Sequence, residues 1–379
     1  MKSMFVLMDE CAKELVDYLK EQQNGLSVEI EIRDMFRRYS ADVIASIAFG
    51  IKCNSFKDRD NEFITMGTEL TNFGGMQKLR RLLYSAHPFV KKIFNLKMHP
   101  NKVATFFRTL IKTTIEYRKR EKSFSIRFHP ASFGITWVQE IEHFPLKLTD
   151  DDITAQALDF FYGGLYSTTS LIVSSMYELA SNLDVQKNLM AEENEGKLIN
   201  YDALIRMKYL DMVISETLRK WATATWIDRK SCTAITIEPK NDKENSLYLE
   251  PGTICWIPVF AIHRDPKYWP EPEKFDPERF NEKNKAKIQS FTFLPFGSGP
   301  RNCIGSRFAV MVAKLAIFRI LSQYEVKSTE DHVTKKNSNL TLPNNIVFEF
   351  KNRRKIHLSM VLQSVILTPQ CFVALQKNV

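Results

Sequence analysis

The chain has 379 residues, of which 44% are hydrophobic and 12% aromatic, enough to bury a large core in one large domain or two ordinary ones. Its net charge of +9 comes from basic residues that are dispersed along the chain, which disfavours nucleic-acid binding. The sequence shows neither strand–helix alternation nor a glycine-rich nucleotide loop, so a doubly wound nucleotide-binding fold is disfavoured.

The cysteines and the apolar segments further limit the classes of protein to which the chain can belong. The six cysteines form neither CxxC pairs nor a paired framework, which favours reduced thiols that face the cytosol. No signal peptide is predicted, and no run of eighteen uninterrupted apolar residues is present. The most apolar segment, 358–375, contains two glutamines and Pro369, and we do not expect it to span a membrane.

The first part of the chain is predicted to be helical. A helix is predicted at the start, because apolar residues recur on one face. These residues are Phe5, Met8, Ala12, Leu15 and Leu19. A second helix is predicted over 32–50. Residues 61–122 are rich in Phe and Lys and contain Gly74-Gly75, and residues 123–144 carry no clear period.

A long helix is predicted over 150–183, because three consecutive acidic residues at its start are typical of a helix N-terminus. Residues 184–200 are polar and predict a loop. The helix that carries Glu216 is predicted to begin near Tyr201. Residues 247–262 predict a hairpin with its turn at Pro251-Gly252.

Three charged residues form a second pattern. Glu216 and Arg219 are three residues apart, which places both on one face of a helix. Alone, such a pair is common on protein surfaces. The segment Pro277–Phe280 adds Arg279 in a rigid stretch that starts with proline.

The segment from Phe296 to Gly305 has the composition expected of a haem-thiolate loop. A thiolate from Cys303 would ligate iron and favour O–O cleavage. Gly299 and Gly305 permit backbone geometries and close approaches that a side chain would block. Arg301 suits a propionate carboxylate, and Phe296 would pack against the sulfur side of the porphyrin. A buried structural cysteine is the alternative, and the whole decapeptide disfavours it.

A helix is predicted over 307–324, directly after this loop. Its apolar positions recur with helical spacing. They are Phe308, Met311, Val312 and Leu315. The partial positive charge of the helix N-terminus would lie near the Cys303 thiolate and stabilise it.

These motifs resemble the cytochrome P-450 superfamily, most closely its microsomal insect type, from about residue 1 to about residue 350. The resemblance implies a mainly α fold with small β-sheets and a haem-thiolate monooxygenase domain over 1–355. Within it 123–144 is unmatched, as is the tail 356–379. Family members begin with a membrane anchor, the first sheet strands and the first helices. None of these precedes Met1, so we expect the chain to be N-terminally truncated, with its anchor missing.

The resemblance also implies a cofactor, an activity and partners. Haem b would have Cys303 as axial ligand and a propionate on Arg301. One oxygen atom from O2 would enter a lipophilic small molecule, with electrons from NADPH through an acidic flavoprotein reductase that suits the basic chain. The location would be the cytoplasmic face of the endoplasmic reticulum membrane. Glu216 would bridge Arg219 and Arg279 in a structural lock behind the cysteine loop.

The long helix departs from the family pattern. Family members carry small-Gly-x-acid-Thr, where the acid and the hydroxyl deliver protons; this chain has Gly163-Gly164-Leu165-Tyr166-Ser167. A phenol is a weaker acid than a carboxylic acid, so Tyr166 is a poor substitute. Ser167 and Thr168 are the candidate catalytic residues that can assist protonation. Three apolar residues would line the distal wall or only pack the core: Phe160, Phe161 and Leu165.

Two alternatives to a monooxygenase stay open. Tyr166 in place of the acid favours a haem-thiolate isomerase or dehydratase that rearranges peroxides without dioxygen or a reductase. The expected truncation favours an inactive haem-protein fragment.

Overall fold

The computed structural model describes most of the chain. The described residues are 1–71, 100–121, 149–194, 199–239, 241, 244–329, 342 and 346–353. This part is mainly helical with small antiparallel sheets, which confirms the predicted fold class. The predictions for Gly74-Gly75, 123–144 and 356–379 lie outside the described residues.

The described residues include the following helices. They are α1 (Lys2–Gln22), α2 (Ile32–Ile44), α3 (Glu62–Thr71), α4 (Asn101–Glu121), α5 (Asp150–Ser181), α6 (Leu183–Asn194), α7 (Tyr201–Arg206), α8 (Lys208–Lys220), α9 (Val259–Ile262), α10 (Glu282–Lys285) and α11 (Ser306–Leu321). A π-helical turn, Ala45–Phe49, continues α2, and 3-10 turns occupy Pro277–Phe280 and Gly299–Arg301.

The predicted starts of α1 and α5 are confirmed. All five apolar residues of the predicted α1 stripe are buried. At the start of α5, Thr149 and Asp152 form a reciprocal capping box, in which the Asp152 N–H donates to Thr149 Oγ1 at 3.2 Å and the Thr149 N–H donates to Asp152 Oδ2 at 2.8 Å. The acidic first turn also complements the partial positive charge of the helix N-terminus.

The strands form three sheets within the described residues. They are β1 (Ser27–Glu31), β2 (Ile227–Lys230), β3 (Ile235–Ile237), β4 (Leu247–Leu249), β5 (Ile254–Ile257), β6 (Tyr324–Ser328) and β7 (Val347–Asn352). The largest sheet has the order β1-β7-β6, and β2 pairs with β5 and β3 with β4. All of these pairs are antiparallel.

The hairpin predicted over 247–262 is wrong. Its two strands pair with earlier strands instead of with each other, Ile227 opposite Ile257 and Ile237 opposite Leu247. The two strand pairs continue one another in the same register, so β2 and β3 form one arm of a long hairpin and β4 and β5 form the other. The chain reverses between β3 and β4. Pro251-Gly252 does turn the chain, with Gly252 at φ 90, but within one arm of that hairpin.

One predicted loop and two predicted helix boundaries need correction. Residues 184–200 contain α6 instead of a loop, because Val185 and Leu189 bury one face of it. The helix that carries Glu216 begins at Lys208, since Met207 is extended and separates α7 from α8. The helix predicted over 307–324 ends at Leu321, before Tyr324 opens β6.

Helix α5 is the centre of the molecule and packs against α2, α4, α8 and α11. Its second half lies in the large core with α1, α8, α11 and the β6–β7 pair. Its first half contacts an aromatic cluster, where the Phe161 ring lies 4.7 Å from Phe63 of α3 and 5.0 Å from Phe107 of α4. Burial of each such ring contributes about 1.5–3 kcal/mol, so α3 and α4 are fixed against α5.

None of the helices in the described ranges is both long enough and apolar enough to cross a membrane.

Candidate haem-thiolate site

A cavity of about 920 Å³ lies between α5, the end of α2, strand β2 and the loop before α11. Its size falls in the range of small-molecule and cofactor sites, roughly 300–1,000 Å³. Cys303, Arg301 and Phe296 line it from the loop, and Ser167 and Thr168 line it from α5. The structure therefore brings the predicted metal and catalytic residues together at one cavity with the predicted cofactor residues, except Gly299, which does not line it.

The backbone of the cysteine loop is shaped by hydrogen bonds and glycines. The Cys303 N–H donates to the Phe296 carbonyl at 2.8 Å, which closes the loop. Gly297 and Gly299 have φ of 71 and 78, a region that favours glycine. Gly305 precedes α11, and a Cβ added there would lie 3.9 Å from the Cys303 sulfur, so the start of the helix is close to the thiol.

The Cys303 thiol is exposed at the cavity wall. Helix α11 begins three residues later, and its N-cap Gly305 offers no side-chain cap. The amide groups of the first helical turn therefore leave a partial positive charge near the sulfur. A thiolate in this position can ligate a metal ion.

Two arginines that line the cavity can hold carboxylates, one in the cysteine loop and one on β2, which lies beside that loop because a Cβ added at Gly297 would be 3.8 Å from Ile227 Cδ1. Arg301 was predicted, and Arg229 of β2 was missed. Along β2, Ile227 and Arg229 line the cavity while Asp228 and Lys230 are exposed. This alternation is the signal that could have identified Arg229, because residues two apart in a strand share one face.

Helix α5 presents small and hydroxyl-bearing residues to the cavity. A Cβ added at Gly163 would meet no described atom within 4 Å, whereas one at Gly164 would lie 3.1 Å from Ile44 Cδ1. Gly163 therefore keeps space open on the cavity side, and Gly164 lets α2 approach. The Ser167 hydroxyl donates to the Gly163 carbonyl. The buried Thr168 Oγ1 has no hydrogen-bond partner among the described residues.

The predicted distal wall is only partly correct. Phe160 lines the cavity, but Phe161 and Leu165 are fully buried in the aromatic cluster. They lie on the opposite side of α5, so the simpler interpretation, that they pack the core, is the correct one for these two.

Behind the cysteine loop lies a buried ion-pair network. Glu216 and Arg219 are both 0% exposed, and their carboxylate and guanidinium form two hydrogen bonds of 2.7 and 2.8 Å. Arg279 lies 3.4 Å from the same carboxylate. The Asp276 N–H donates to Glu216 at 3.0 Å, and Arg219 donates to the His263 carbonyl at 2.9 Å. Charge-assisted bonds of this kind are roughly twice as strong as neutral ones.

His263 connects this network to the cavity and was not predicted to do so. Its ring is fully buried, with Nδ1 3.2 Å from the Arg219 carbonyl. Its Nε2 accepts a hydrogen bond of 2.8 Å from the N–H of Leu294, which lines the cavity two residues before Phe296. Burial lowers the pKa of His263 to about 4, helped by the charge of Arg219.

The donor set fits a haem with a thiolate ligand. One thiol lies at a helix N-terminus, two arginines on its side of the cavity suit two propionates, and Gly163 leaves open space on α5. The mainly helical fold and this set of groups define the class of haem-thiolate proteins.

Comparison with known proteins identifies the family. A family model described as Cytochrome P450 matches residues 1–350, and the chain belongs to this family. Members of the family bind haem b with a cysteine thiolate as iron ligand.

Curated relatives of the chain are cytochromes P450 as well. Cytochrome P450 9e2 of Blattella germanica is 41% identical over 378 residues, which cover 90% of this chain and 70% of the relative. Probable cytochrome P450 9f2 of Drosophila melanogaster is 38% identical, covering 86% of this chain and 64% of the relative. Cytochrome P450 3A12 of Canis lupus familiaris is 35% identical, covering 87% of this chain and 65% of the relative. The chain thus spans about two thirds of the length of these relatives.

Proposed function

We propose that the chain binds haem b through Cys303 and acts as a monooxygenase on a lipophilic small molecule. The observation that carries this proposal is the exposed Cys303 thiol on the wall of a cavity of about 920 Å³, beside the N-terminus of α11. Bound haem supplies the activation of dioxygen and the transfer of one oxygen atom. Binding, orientation and the supply of protons are tasks of the chain's own residues.

Arg301 and Arg229 would each hold one propionate of the haem. Both line the cavity on the side of Cys303, and a guanidinium binds a carboxylate through two parallel hydrogen bonds. Phe296 would pack beside the sulfur and exclude water from it. Gly299 and Gly305 give the loop the shape that places Cys303 at the cavity.

Thr168 and Ser167 would hold protons on the α5 side. The Thr168 hydroxyl is buried and is not engaged by any described residue, so it can donate to a ligand in the cavity. The Ser167 hydroxyl donates to the Gly163 carbonyl and must rotate before it can donate to a ligand. Thr168 is therefore the better placed of the two.

Glu216, Arg219 and Arg279 would keep the cysteine loop in register. Arg219 bonds to the carbonyl of His263, and His263 in turn accepts from Leu294 at the beginning of the loop. Each contact is buried, so a shift of the loop would break hydrogen bonds that water cannot replace. This is a positioning role, distinct from contact with the reacting atoms.

Electrons would come from NADPH through a flavoprotein reductase, at the cytoplasmic face of the endoplasmic reticulum membrane. The net charge of +9 supports an acidic partner of this kind, because complementary charge speeds association. High salt should therefore slow electron transfer to the chain.

A haem-thiolate isomerase or dehydratase acting on peroxides is the second candidate. It is favoured by Tyr166, which stands on the cavity wall where the family has an acid. Turnover with reductase and NADPH, compared with turnover on a lipid hydroperoxide alone, separates the two activities. Product from the first reaction supports a monooxygenase, and product from the second alone supports the rival. Loss of haem during purification would indicate an inactive fragment.

A further inference from the structure

The charged residues that line the cavity are segregated. Among the described lining residues the arginines lie on β2, the cysteine loop and α11, namely Arg229, Arg301 and Arg307. The single carboxylate within this set is Asp159, and it lies on α5. The cavity therefore has a cationic side next to Cys303 and an anionic position on the helix that carries Gly163.

Asp159 lies on the face of α5 that borders the cavity. It precedes Gly163 by four residues, one helical turn, so the two share a face about 6 Å apart along the axis. Gln156, three residues earlier, lines the same cavity. Asp159 is exposed, and no described residue forms a hydrogen bond or ion pair with its carboxylate, which leaves it available to a ligand.

The remaining walls are mostly apolar. Ile44 contributes from the end of α2 and Ile47 from the π-helical turn that follows it. Leu171 contributes from α5 and Leu294 from the cysteine loop. Contact with such walls stabilises an apolar ligand by about 25 cal/mol for each Å² removed from water. The exposed carboxylate of Asp159 at the edge of such a space favours a ligand that combines one positive charge with an apolar body.

We propose that the substrate is a lipophilic amine, whose ammonium group pairs with Asp159 while its apolar body lies against Ile44, Ile47 and Leu294. This substrate class rests on the proposed function, in which Arg229 and Arg301 are matched by the two propionates. With those two cations neutralised, Arg307 of α11 is the remaining cation of the wall, and Asp159 on α5 is the single carboxylate among the described lining residues that can pair with an ammonium group.

The test uses three probes with one phenylalkyl body: the primary amine, the alcohol and the carboxylic acid. Their Kd values are measured by calorimetry on the full chain supplied with haem. We expect the amine to bind about three- to fivefold more tightly than the alcohol, which corresponds to about 0.6–1 kcal/mol, the range of an ion pair with an exposed carboxylate. Asp159→Asn should reduce that ratio to about one and leave the alcohol unchanged, and Asp159→Glu should retain most of it.

Asp150→Asn is the matched control. It makes the same change of charge on the same helix, but Asp150 does not line the cavity. It should therefore keep the amine preference. Equal binding of amine and alcohol, binding of no probe, tighter binding of the acid, or a preference that survives Asp159→Asn would each overturn the proposal.

Haem binding is followed separately, from the Soret spectra of the same samples. A missing thiolate-type spectrum with an intact amine preference would contradict the proposed function and leave Asp159 as the amine site. A normal thiolate-type spectrum without amine preference would contradict this inference alone.

Discussion

The imidazole of His263 accepts a hydrogen bond of 2.8 Å from the N–H of Leu294, at the beginning of the cysteine loop. Only a ring nitrogen without a proton can accept, so the arrangement requires neutral His263 with its proton on Nδ1, facing the Arg219 carbonyl 3.2 Å away. One buried ring thereby joins the Glu216–Arg219 pair to the wall of the cavity.

This bond predicts a pH dependence of stability. The pKa of His263 is about 4 in the folded chain, because of burial, against an ordinary value of 6.5. The unfolded chain therefore binds more protons between these values, so the contribution of His263 is full above pH 6.5 and falls as the pH drops towards 4. We expect a loss of about 2 kcal/mol between pH 7 and pH 5 from this group.

Denaturant unfolding of the wild type and His263→Gln at both pH values measures this contribution. The variant lacks the titrating group, so its free energy of unfolding should change less between pH 7 and pH 5. The difference between the two proteins is the relevant quantity, because burial raises the pKa of Asp42 to about 6 and this acts in the opposite direction. Equal pH dependence in both proteins would rule out the neutral, buried His263.

Cys303→Ala should abolish the thiolate-type Soret band of the ferrous carbonyl complex, since no other cysteine among the described residues lines the cavity. Cys232 is an exposed cysteine outside the cavity and Cys255 lies on β5, so Cys232→Ala and Cys255→Ala should leave the band unchanged. A Cys303→Ala protein that retains the band would disprove the assignment of the ligand.

Arg219→Ala should abolish haem incorporation, because it leaves the Glu216 carboxylate buried without its main partner. Breaking such a buried pair costs about 3–5 kcal/mol. Absorbance at the Soret band relative to protein absorbance reports the haem content. The matched control is Glu282→Ala, which breaks a 2.6 Å pair with Lys208 in which both side chains are largely exposed. The control should bind haem normally. Normal haem content with altered turnover in Arg219→Ala would argue against a structural role.

Local patterns predicted the helices well and the strand pairing poorly. The α1 stripe and the acidic start of α5 involve residues within a few positions of each other, so periodicity and capping report them directly. The partner of Leu247 is Ile237, on the far side of a segment with no apolar alternation, and Pro251-Gly252 offered a nearer turn. Short-range turn chemistry cannot distinguish a chain reversal from a bend within one arm.

The site was predictable where its residues are close in sequence. Cys303 and Arg301 belong to one decapeptide, and both line the cavity. Arg229 and His263 act through contacts with residues far along the chain, and an isolated arginine or histidine carries no sequence signal of such contacts. The burial that shifts the pKa of His263 depends on packing that no local pattern contains.

The final prediction concerns Tyr166 and the supply of protons. Tyr166 lines the main cavity and also a smaller one of about 60 Å³ that Arg33 and Ser174 border. A carboxylic acid transfers protons near neutral pH more readily than a phenol. Tyr166→Asp combined with Ser167→Thr, in haem-loaded protein, should therefore raise the amount of product formed per NADPH consumed.

Tyr166→Phe is the control for this variant, because it keeps the ring between the two cavities and removes only the hydroxyl. If the phenol contributes little, Tyr166→Phe should leave the ratio of product to NADPH unchanged while the double variant raises it. A lower ratio in Tyr166→Phe would show that the phenol itself relays protons from the smaller cavity. An unchanged ratio in the double variant would show that protons reach the site by another route. Thr168, the buried hydroxyl next to Ser167 on α5, is the first candidate for that route.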